Sequence, residues 1–164
     1  MAENSTRYSQ TKKGNEKDSP RNSSKYFHLR FIVPGDVQEL AAIRDRVEKQ
    51  SASMNLSDEE AYQIVSAVDE TCTNIIKHAY QGKEGNIEIS LKVDSERFEI
   101  EVADKGIYFD PTLNIPQEID QEKIGRQKGG LGLFIIKKTM DDLNYRFTMS
   151  GENKLHLVKY FRSE

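Results

Sequence analysis

The chain has 164 residues, of which 31% are charged and only 36% hydrophobic, so it has room for one folded domain and a stretch that does not pack. Its net charge of −3 argues against bulk binding to a nucleic-acid backbone, so no direct nucleic-acid partner is expected. One cysteine excludes an internal disulfide and a cysteine-based zinc cage. Without a long apolar run or a signal-peptide pattern, the expectation is a cytoplasmic protein that does not contact a membrane.

The first 25 residues are polar, with Met1, Ala2 and Tyr8 as their only apolar members. Such a segment buries too little surface to offset the entropy lost on ordering, so residues 1–25 are predicted to be a disordered tail. The folded domain then spans residues 26–164. Basic residues outnumber acidic ones in the tail, which leaves two interpretations open: a docking arm or a plain solvated tail.

Apolar periodicity and turn residues predict eight elements after the tail, in the order strand, helix, helix, strand, strand, helix, strand, strand. Their predicted ranges are 26–33, 36–54, 57–79, 86–93, 97–103, 131–142, 145–150 and 154–161. Asp36 is expected to cap the first helix, and Ser57 with Glu60 forms a capping box for the second. This order predicts an α+β two-layer sandwich: a mixed, mostly antiparallel sheet with three helices on one face and an open second face.

The second predicted helix carries Glu70, Asn74 and His78 at spacings of four residues, so the three side chains form one polar row. A carboxylate in such a row can act as a general base, and an amide oxygen can bind a hard cation such as Mg²⁺. Taken alone, the row is more simply explained as a solvated helix face. Cys72 lies on the apolar stripe of the same helix and is predicted to be a core residue.

A strand is predicted to end next to Asp104, and Gly106 follows two residues later. A carboxylate at a strand end can accept a hydrogen bond from an exocyclic amine such as that of adenine, and glycine permits close backbone approach. The alternative is an ordinary turn.

Glycines 129, 130 and 132 lead directly into the third predicted helix. Exposed N–H groups at a helix start form a phosphate site, although an ordinary junction between a loop and a helix has the same composition. The pattern matches neither the P-loop nor the Rossmann fingerprint.

In their order and spacing, these three segments resemble the motifs of the GHKL (Bergerat-fold) ATPase superfamily. The likeness is strongest to the serine-protein kinase anti-sigma factors of bacteria. Residues 70–80 are similar to the N box of that family, residues 104–111 to its first glycine box, and residues 130–136 to its second. The resemblance covers about residues 26–162, nearly the whole predicted domain.

The resemblance implies a role for each matching residue. Glu70 would be the catalytic base, Asn74 would hold Mg²⁺ against the phosphates of ATP, and Asp104 would accept the adenine amino group. Gly106 would leave room for the adenine ring, and residues 112–128 would form a lid over the triphosphate. The other residues expected to contact or support the nucleotide are Lys77, His78, Arg126, Lys128, Gly129, Gly130, Leu131, Gly132 and Leu133.

The sequence departs from the family pattern at two places. Ile107 and Tyr108 stand where small or cyclic residues are common. Glu152 and Asn153 replace a Gly-Thr pair, and His156 takes the position of a threonine near the adenine.

The function implied by the resemblance is an ATP-dependent serine-protein kinase that acts as an anti-sigma factor. Its expected partners are a STAS-type anti-sigma factor antagonist, which it would phosphorylate, and a sigma factor, with a homodimer expected on the same ground. Two alternatives stay open: an ATP-gated binding module with little kinase activity, and a detached histidine-kinase-type ATPase domain. Relatives of the topoisomerase and chaperone type are disfavoured, because 164 residues leave no room for their transducer domain.

Overall fold

A computed structural model describes residues 27–54, 56–115 and 131–161 of the chain. The strands are β1 (Phe27–Pro34), β2 (Asn86–Val93), β3 (Arg97–Asp104), β4 (Asp142–Phe147) and β5 (Asn153–Tyr160). The helices are α1 (Leu40–Ala52), α2 (Asp58–Asn74) and α3 (Leu131–Thr139). Two 3-10 turns occupy Val37–Glu39 and Pro111–Asn114, and α2 continues as a π-helix over Ile75–Tyr80.

The five strands form one sheet in the order β1-β2-β3-β5-β4. Every pairing between them is antiparallel. The predicted α+β class with three helices is confirmed, and the sheet that was expected to be mixed is antiparallel at each of these pairings. Strands β3 and β5 lie side by side in its centre although the chain places α3 and β4 between them. This pairing sets Asp104 directly opposite Asn153.

The core fills the space between the helices and one face of the sheet. Period-two alternation along β2 and β3 points apolar side chains toward α1 and α2, which present their own apolar stripes. The fully buried side chains include Phe31, Ile43, Val47, Ile64, Val68, Cys72, Ile87, Ile89, Leu91, Phe98, Ile100 and Leu157. The core position predicted for Cys72 is therefore confirmed.

The second face of the sheet carries polar and charged side chains in cross-strand pairs. Glu101 of β3 bridges to Arg146 of β4 and Lys154 of β5, at 3.1 and 3.5 Å. At the far edge Arg30 pairs with Glu88 at 2.6 Å. These alternating charges give the sheet a solvent-facing side, as predicted.

Local capping explains where the helices begin. The Ser57 hydroxyl accepts a hydrogen bond from the Glu60 backbone N–H, and the Glu60 carboxylate accepts one from the Ser57 backbone N–H, which completes the predicted capping box. Asp36 caps the 3-10 turn Val37–Glu39, accepting from the backbone N–H of Gln38. The helix α1, which Asp36 was predicted to cap, begins after Glu39 without a side-chain cap. None of the helices among the described residues has both the length and the apolar character needed to cross a bilayer.

Several predicted boundaries were wrong, among them the start of the first helix, which is Leu40 instead of residue 36, and the end of the fourth strand, which is Phe147 instead of residue 150. The third helix ends at Thr139 instead of residue 142, where Lys159 donates a hydrogen bond to the Thr139 carbonyl oxygen at 2.7 Å. The next strand starts at Asp142 instead of residue 145, because its pairing with β5 begins opposite Val158. A side chain from a strand 20 residues away thus caps this helix end, and the local sequence holds no sign of that contact.

Candidate functional site

One cleft opens between the end of α2 and the end of the sheet where β3 finishes and β5 begins. It is lined by Thr71, Asn74, Ile75, Val102, Asp104, Phe109, Pro111, Tyr145, Asn153 and Leu155. The chain thus brings the helix and the strand end predicted to carry function to one place. Asn74 and Asp104, 30 positions apart in sequence, line the same cavity.

Asp104 ends β3 and is 4% exposed. Its Oδ1 accepts two hydrogen bonds, from the Gly106 backbone N–H at 2.8 Å and from Asn153 Nδ2 at 2.9 Å. Burial raises the pKa of this carboxyl, and the two hydrogen bonds act in the opposite direction. Both bonds end on Oδ1, and no hydrogen bond to Oδ2 joins it to the described part of the chain. Asp104 therefore offers the cleft a buried acceptor at a fixed position.

Asn153 was not assigned to the site by sequence reasoning, which treated it only as a departure from a motif. It is 4% exposed and contacts Asp104 and the loop after β3. Its Oδ1 also accepts from the Tyr145 hydroxyl at 2.7 Å. The strand register could have identified Asn153 as a site residue, because it lies directly opposite Asp104 and opposed residues of an antiparallel pair share a face.

Asn74 is the last residue of α2, and its Nδ2 is buried without a hydrogen-bond partner among the residues that the structure describes. A buried amide without a hydrogen-bond partner lowers folding stability by about 1–3 kcal/mol. Its presence beside a cleft indicates that a bound ligand supplies the missing partner. Amide oxygen and nitrogen exchange by a simple flip, and the side chain can therefore present either atom to a ligand. A hard cation would take the oxygen.

Glu70 lies one helical turn before Asn74 and is half-buried under the first turn of α3. A Cβ placed on Gly132 would overlap the carboxyl group of Glu70, so only glycine fits this contact without a shift. Burial raises the pKa of Glu70, the charge of Lys77 acts against that shift, and Asp69 adds to it. A carboxyl group with a raised pKa beside a cleft is suited to accepting a proton.

Lys77 and His78 are exposed on the π-helical continuation of α2. The His78 ring stacks on Phe109 with centroids 4.9 Å apart, and Phe109 lines the cleft. The structure therefore places His78 against the wall of the site, and Lys77 within electrostatic range of Glu70. Neither residue lines the cleft itself.

Gly106 packs on the end of the π-helix. A Cβ there would come within 2.6 Å of the Ala79 carbonyl oxygen, which also accepts a hydrogen bond from the Ile107 backbone N–H at 3.0 Å. We expected this glycine to leave room for the adenine ring. In the structure, its close contact is with the end of the π-helix. The loop that follows Asp104 is thereby held against α2.

Part of the predicted phosphate site lies outside the described residues. This part comprises Arg126, Lys128, Gly129 and Gly130, together with the predicted lid from residue 116 onward. Leu131 begins α3, and the Leu133 side chain is buried in the core. A contact of Leu133 with phosphate would therefore involve its backbone.

The residues present fit a nucleotide bound with a metal ion. Asp104 supplies a buried carboxylate acceptor, Asn74 supplies an amide that is unsatisfied among the described residues, and Gly132 leaves no side chain between α3 and Glu70. Among the described residues no cluster of three acidic, histidine or cysteine side chains is arranged to cage a metal ion. A single amide ligand fits Mg²⁺, which is commonly held by few protein groups together with substrate phosphates.

Residues 33–159 match the family described as histidine kinase-like ATPase domain. The chain therefore belongs to the histidine kinase-like ATPase family. This is the superfamily that the sequence motifs resemble, and the expectation is confirmed.

Within that class, the chain is similar to proteins named serine-protein kinase RsbW. It is 31% identical to the one from Bacillus mycoides (strain KBAB4) over 123 residues, covering 73% of this chain and 77% of that protein. Identity to the one from Bacillus thuringiensis subsp. konkukian (strain 97-27) is also 31%, over 70% of this chain and 74% of that protein.

A solved structure has the same fold. It contains the RsbU and RsbW domains of Rv1364c from Mycobacterium tuberculosis, and superposes with a TM-score of 0.55 at 14% sequence identity. The match covers 83% of this chain and 33% of that longer one.

Proposed function

We propose that the protein is an ATP-dependent serine-protein kinase that acts as an anti-sigma factor and phosphorylates a serine of an anti-sigma factor antagonist. One observation carries the proposal: Asn74 and Asp104 line a single cleft, and Glu70 lies one turn away on the same helix as Asn74. The similarity to serine-protein kinases named RsbW supports the reaction type.

Each residue has a distinct task in this reaction. Asp104 accepts a hydrogen bond from the adenine amino group, and Asn74 would hold the metal ion. Mg²⁺-ATP supplies the transferable γ-phosphoryl group and neutralises its charge when bound. Glu70 accepts the proton of the attacking serine hydroxyl as the serine Oγ–phosphorus bond forms and the bond to the leaving ADP oxygen breaks.

A kinase of this kind can switch between partners. Phosphorylation of the antagonist weakens its hold on the kinase, which is then able to bind a sigma factor. Regulation and catalysis thus use one protein, and the balance between its two partners depends on how far the antagonist is phosphorylated.

Glu70→Gln is the direct test of the kinase activity. This change keeps the shape of the side chain and removes its basicity, so we expect ATP affinity within about threefold of wild type and phosphoryl transfer reduced by roughly 10²–10⁴-fold. Binding is measured by calorimetry with Mg²⁺-ATP, and transfer by phosphoserine formation on STAS-type antagonist proteins of the same organism. Asn144→Ala, an exposed change on β4, is the matched control.

Two results would contradict the proposal. Failure of the wild-type protein to bind ATP would remove the nucleotide site altogether. ATP binding without transfer to any antagonist would instead leave the ATP-gated binding module as the function of this fold.

A further inference from the structure

The side chain of Asn153 makes four hydrogen bonds, which is its full capacity. Nδ2 donates to Asp104 Oδ1 and to the Ile107 carbonyl oxygen, both at 2.9 Å. Oδ1 accepts from the Tyr145 hydroxyl at 2.7 Å and from the Phe109 backbone N–H at 3.2 Å. One buried amide therefore joins the end of β3, the loop after it and β4.

These partners determine which way the amide points. Reversing it would set its oxygen against a carboxylate and a carbonyl oxygen, and its NH₂ group against a backbone N–H. Burial raises the pKa of Tyr145 to about 12, so its hydroxyl stays protonated and continues to donate. The orientation that gives Asp104 a donor is thus the only one that satisfies all four contacts.

We propose that Asn153 is a positioning residue that makes the cleft selective for 6-aminopurine nucleotides. By donating to Oδ1 it fixes the Asp104 carboxylate and keeps it an acceptor, so that Oδ2 is directed to a donor on the base. An adenine amino group is such a donor, whereas the 6-oxo group of a hypoxanthine or guanine base would place oxygen against oxygen. The inference rests on the proposed nucleotide site and assigns its base selectivity to Asn153, at a position where this chain departs from the family pattern.

The same amide fixes the base site relative to the loop that follows β3. Ile107 and Phe109 are both held by Asn153, and Phe109 lines the cleft. Tyr108, between them, makes edge contacts with the rings of Tyr145 and Phe147 at 6.0 and 5.4 Å. Loss of the amide therefore affects the acceptor and the wall of the cleft together.

Other ionisable groups also surround Asp104, and they bear on any pH test. They are Tyr80 from the π-helix, Tyr145 from β4, Glu84 and Glu88 from the β2 side, Lys105 from its own loop and Glu152 before β5. Replacing the Asn153 amide by a carboxyl group of the same volume leaves these ionisable groups unchanged. A change in the pH dependence of nucleotide affinity therefore reports on position 153.

Asn153→Asp is the discriminating variant, because it is isosteric and exchanges the donor for a second carboxyl beside Asp104. Two such carboxyls share one proton, and the shared proton supplies a donor that can meet a 6-oxo group. We expect the ratio of ATP to ITP affinity to fall at least about tenfold relative to wild type, as for loss of a hydrogen bond to a charged group.

The pH dependence should also reverse. Wild-type ATP affinity should fall as pH is lowered, because the acceptor becomes protonated. In Asn153→Asp, ITP affinity should instead rise as pH is lowered, because protonation of the carboxyl pair supplies the donor that meets the 6-oxo group. A purely structural role for Asn153 would weaken ATP and ITP binding equally and leave the pH profile unchanged.

Calorimetric titration of the full chain with ATP and with ITP distinguishes the outcomes. A wild type that binds neither nucleotide refutes the proposed function. A wild type that binds both equally, or an Asn153→Asp protein with wild-type selectivity and pH profile, overturns this inference alone. Should Asn153→Asp fail to fold, Tyr145→Phe removes one of the two donors that orient the amide, and a selectivity ratio unchanged from that of Asn144→Ala counts against the inference.

Discussion

Asp104 is a buried carboxyl group, and burial disfavours its ionised form. Burial raises its pKa, so the folded protein favours the protonated form more than the unfolded chain does. For such a group, the stability it contributes is present at pH values below the unfolded pKa and is lost as pH rises through the folded pKa. At neutral pH the charged carboxylate is thus kept at some cost in folding stability, as is common where a residue serves binding.

Asp104→Asn should separate binding from stability. The asparagine Oδ1 can still accept from Gly106 and Asn153, but the NH₂ group replaces the acceptor needed by an amino group of the base. We expect ATP affinity to fall roughly 10- to 100-fold and the free energy of unfolding at neutral pH to be equal to or above that of wild type.

Urea unfolding at several pH values checks the sign of the effect. The stability advantage of the asparagine variant should shrink as pH falls and the wild-type carboxyl becomes protonated. A variant that is less stable than wild type at neutral pH, with the deficit growing as pH rises, would show that the carboxylate charge stabilises the fold.

Residue types and spacing predicted the polar row with Glu70 and Asn74 and the strand-end position of Asp104, and the family resemblance placed the three residues in one site. The contacts that hold them were not predictable, because each depends on a partner brought in by tertiary structure. Asn153 reaches Asp104 from a strand 49 positions later, and Gly132 reaches Glu70 from a different helix. A sequence motif gives the residue types and their spacing, but it does not give the hydrogen-bond partners that tertiary structure brings to those residues.

At the scale of elements, the end of α2 is where local expectation and structure differ most. The sequence predicts one α-helix to residue 79, whereas Ile75–Tyr80 is π-helical and ends at Gln81 with a φ of 52°. Such widened turns often accompany functional sites. Here the widening follows Asn74 directly and brings the Ala79 carbonyl to the loop after β3. Helix periodicity could predict the element but not the π-helical geometry of its end, where the Ala79 carbonyl oxygen accepts a hydrogen bond from the loop after β3.

Two glycine-to-alanine changes should have opposite consequences, because the new methyl groups meet different atoms. At Gly132 the methyl meets the flexible end of Glu70, and alanine also favours a helix by up to about 1 kcal/mol. We expect the Gly132→Ala protein to keep its stability and to lose phosphoryl transfer at least about tenfold, because Glu70 is displaced.

Gly106→Ala is its counterpart. The methyl there meets the Ala79 backbone, which cannot move aside without distorting the helix end, so a loss of about 1–3 kcal/mol in the free energy of unfolding is expected. Thermal unfolding and phosphoryl-transfer rates of the two variants are compared side by side. A destabilised Gly132→Ala protein with normal turnover would contradict the contact with Glu70.

At the scale of the whole molecule, the two faces of the sheet have separate tasks. One face is covered by helices and ends in the cleft, and the other is a surface of paired charges such as Glu101 with Arg146 and Lys154. Exposed pairs of this kind contribute little to stability. The binary pattern of the strands was enough to predict this division, whereas the central pairing of β3 with β5 depends on the crossover made by α3 and β4.

A ligand in the cleft touches both layers of the domain, so its binding should raise the stability of the whole molecule. At a free Mg²⁺-ATP concentration of 100 times the dissociation constant, the expected gain is about 2.7 kcal/mol, or roughly 5–10 °C in the midpoint of thermal unfolding. Removal of Mg²⁺ with EDTA should reduce the gain in the wild type. Asn74→Ala should show the smaller gain with or without Mg²⁺, because this amide is the proposed metal ligand, whereas Asn144→Ala should behave as wild type. An Asn74→Ala protein that still responds fully to Mg²⁺ would show that the metal ion is held elsewhere, and the buried amide at the end of α2 would then need a different ligand.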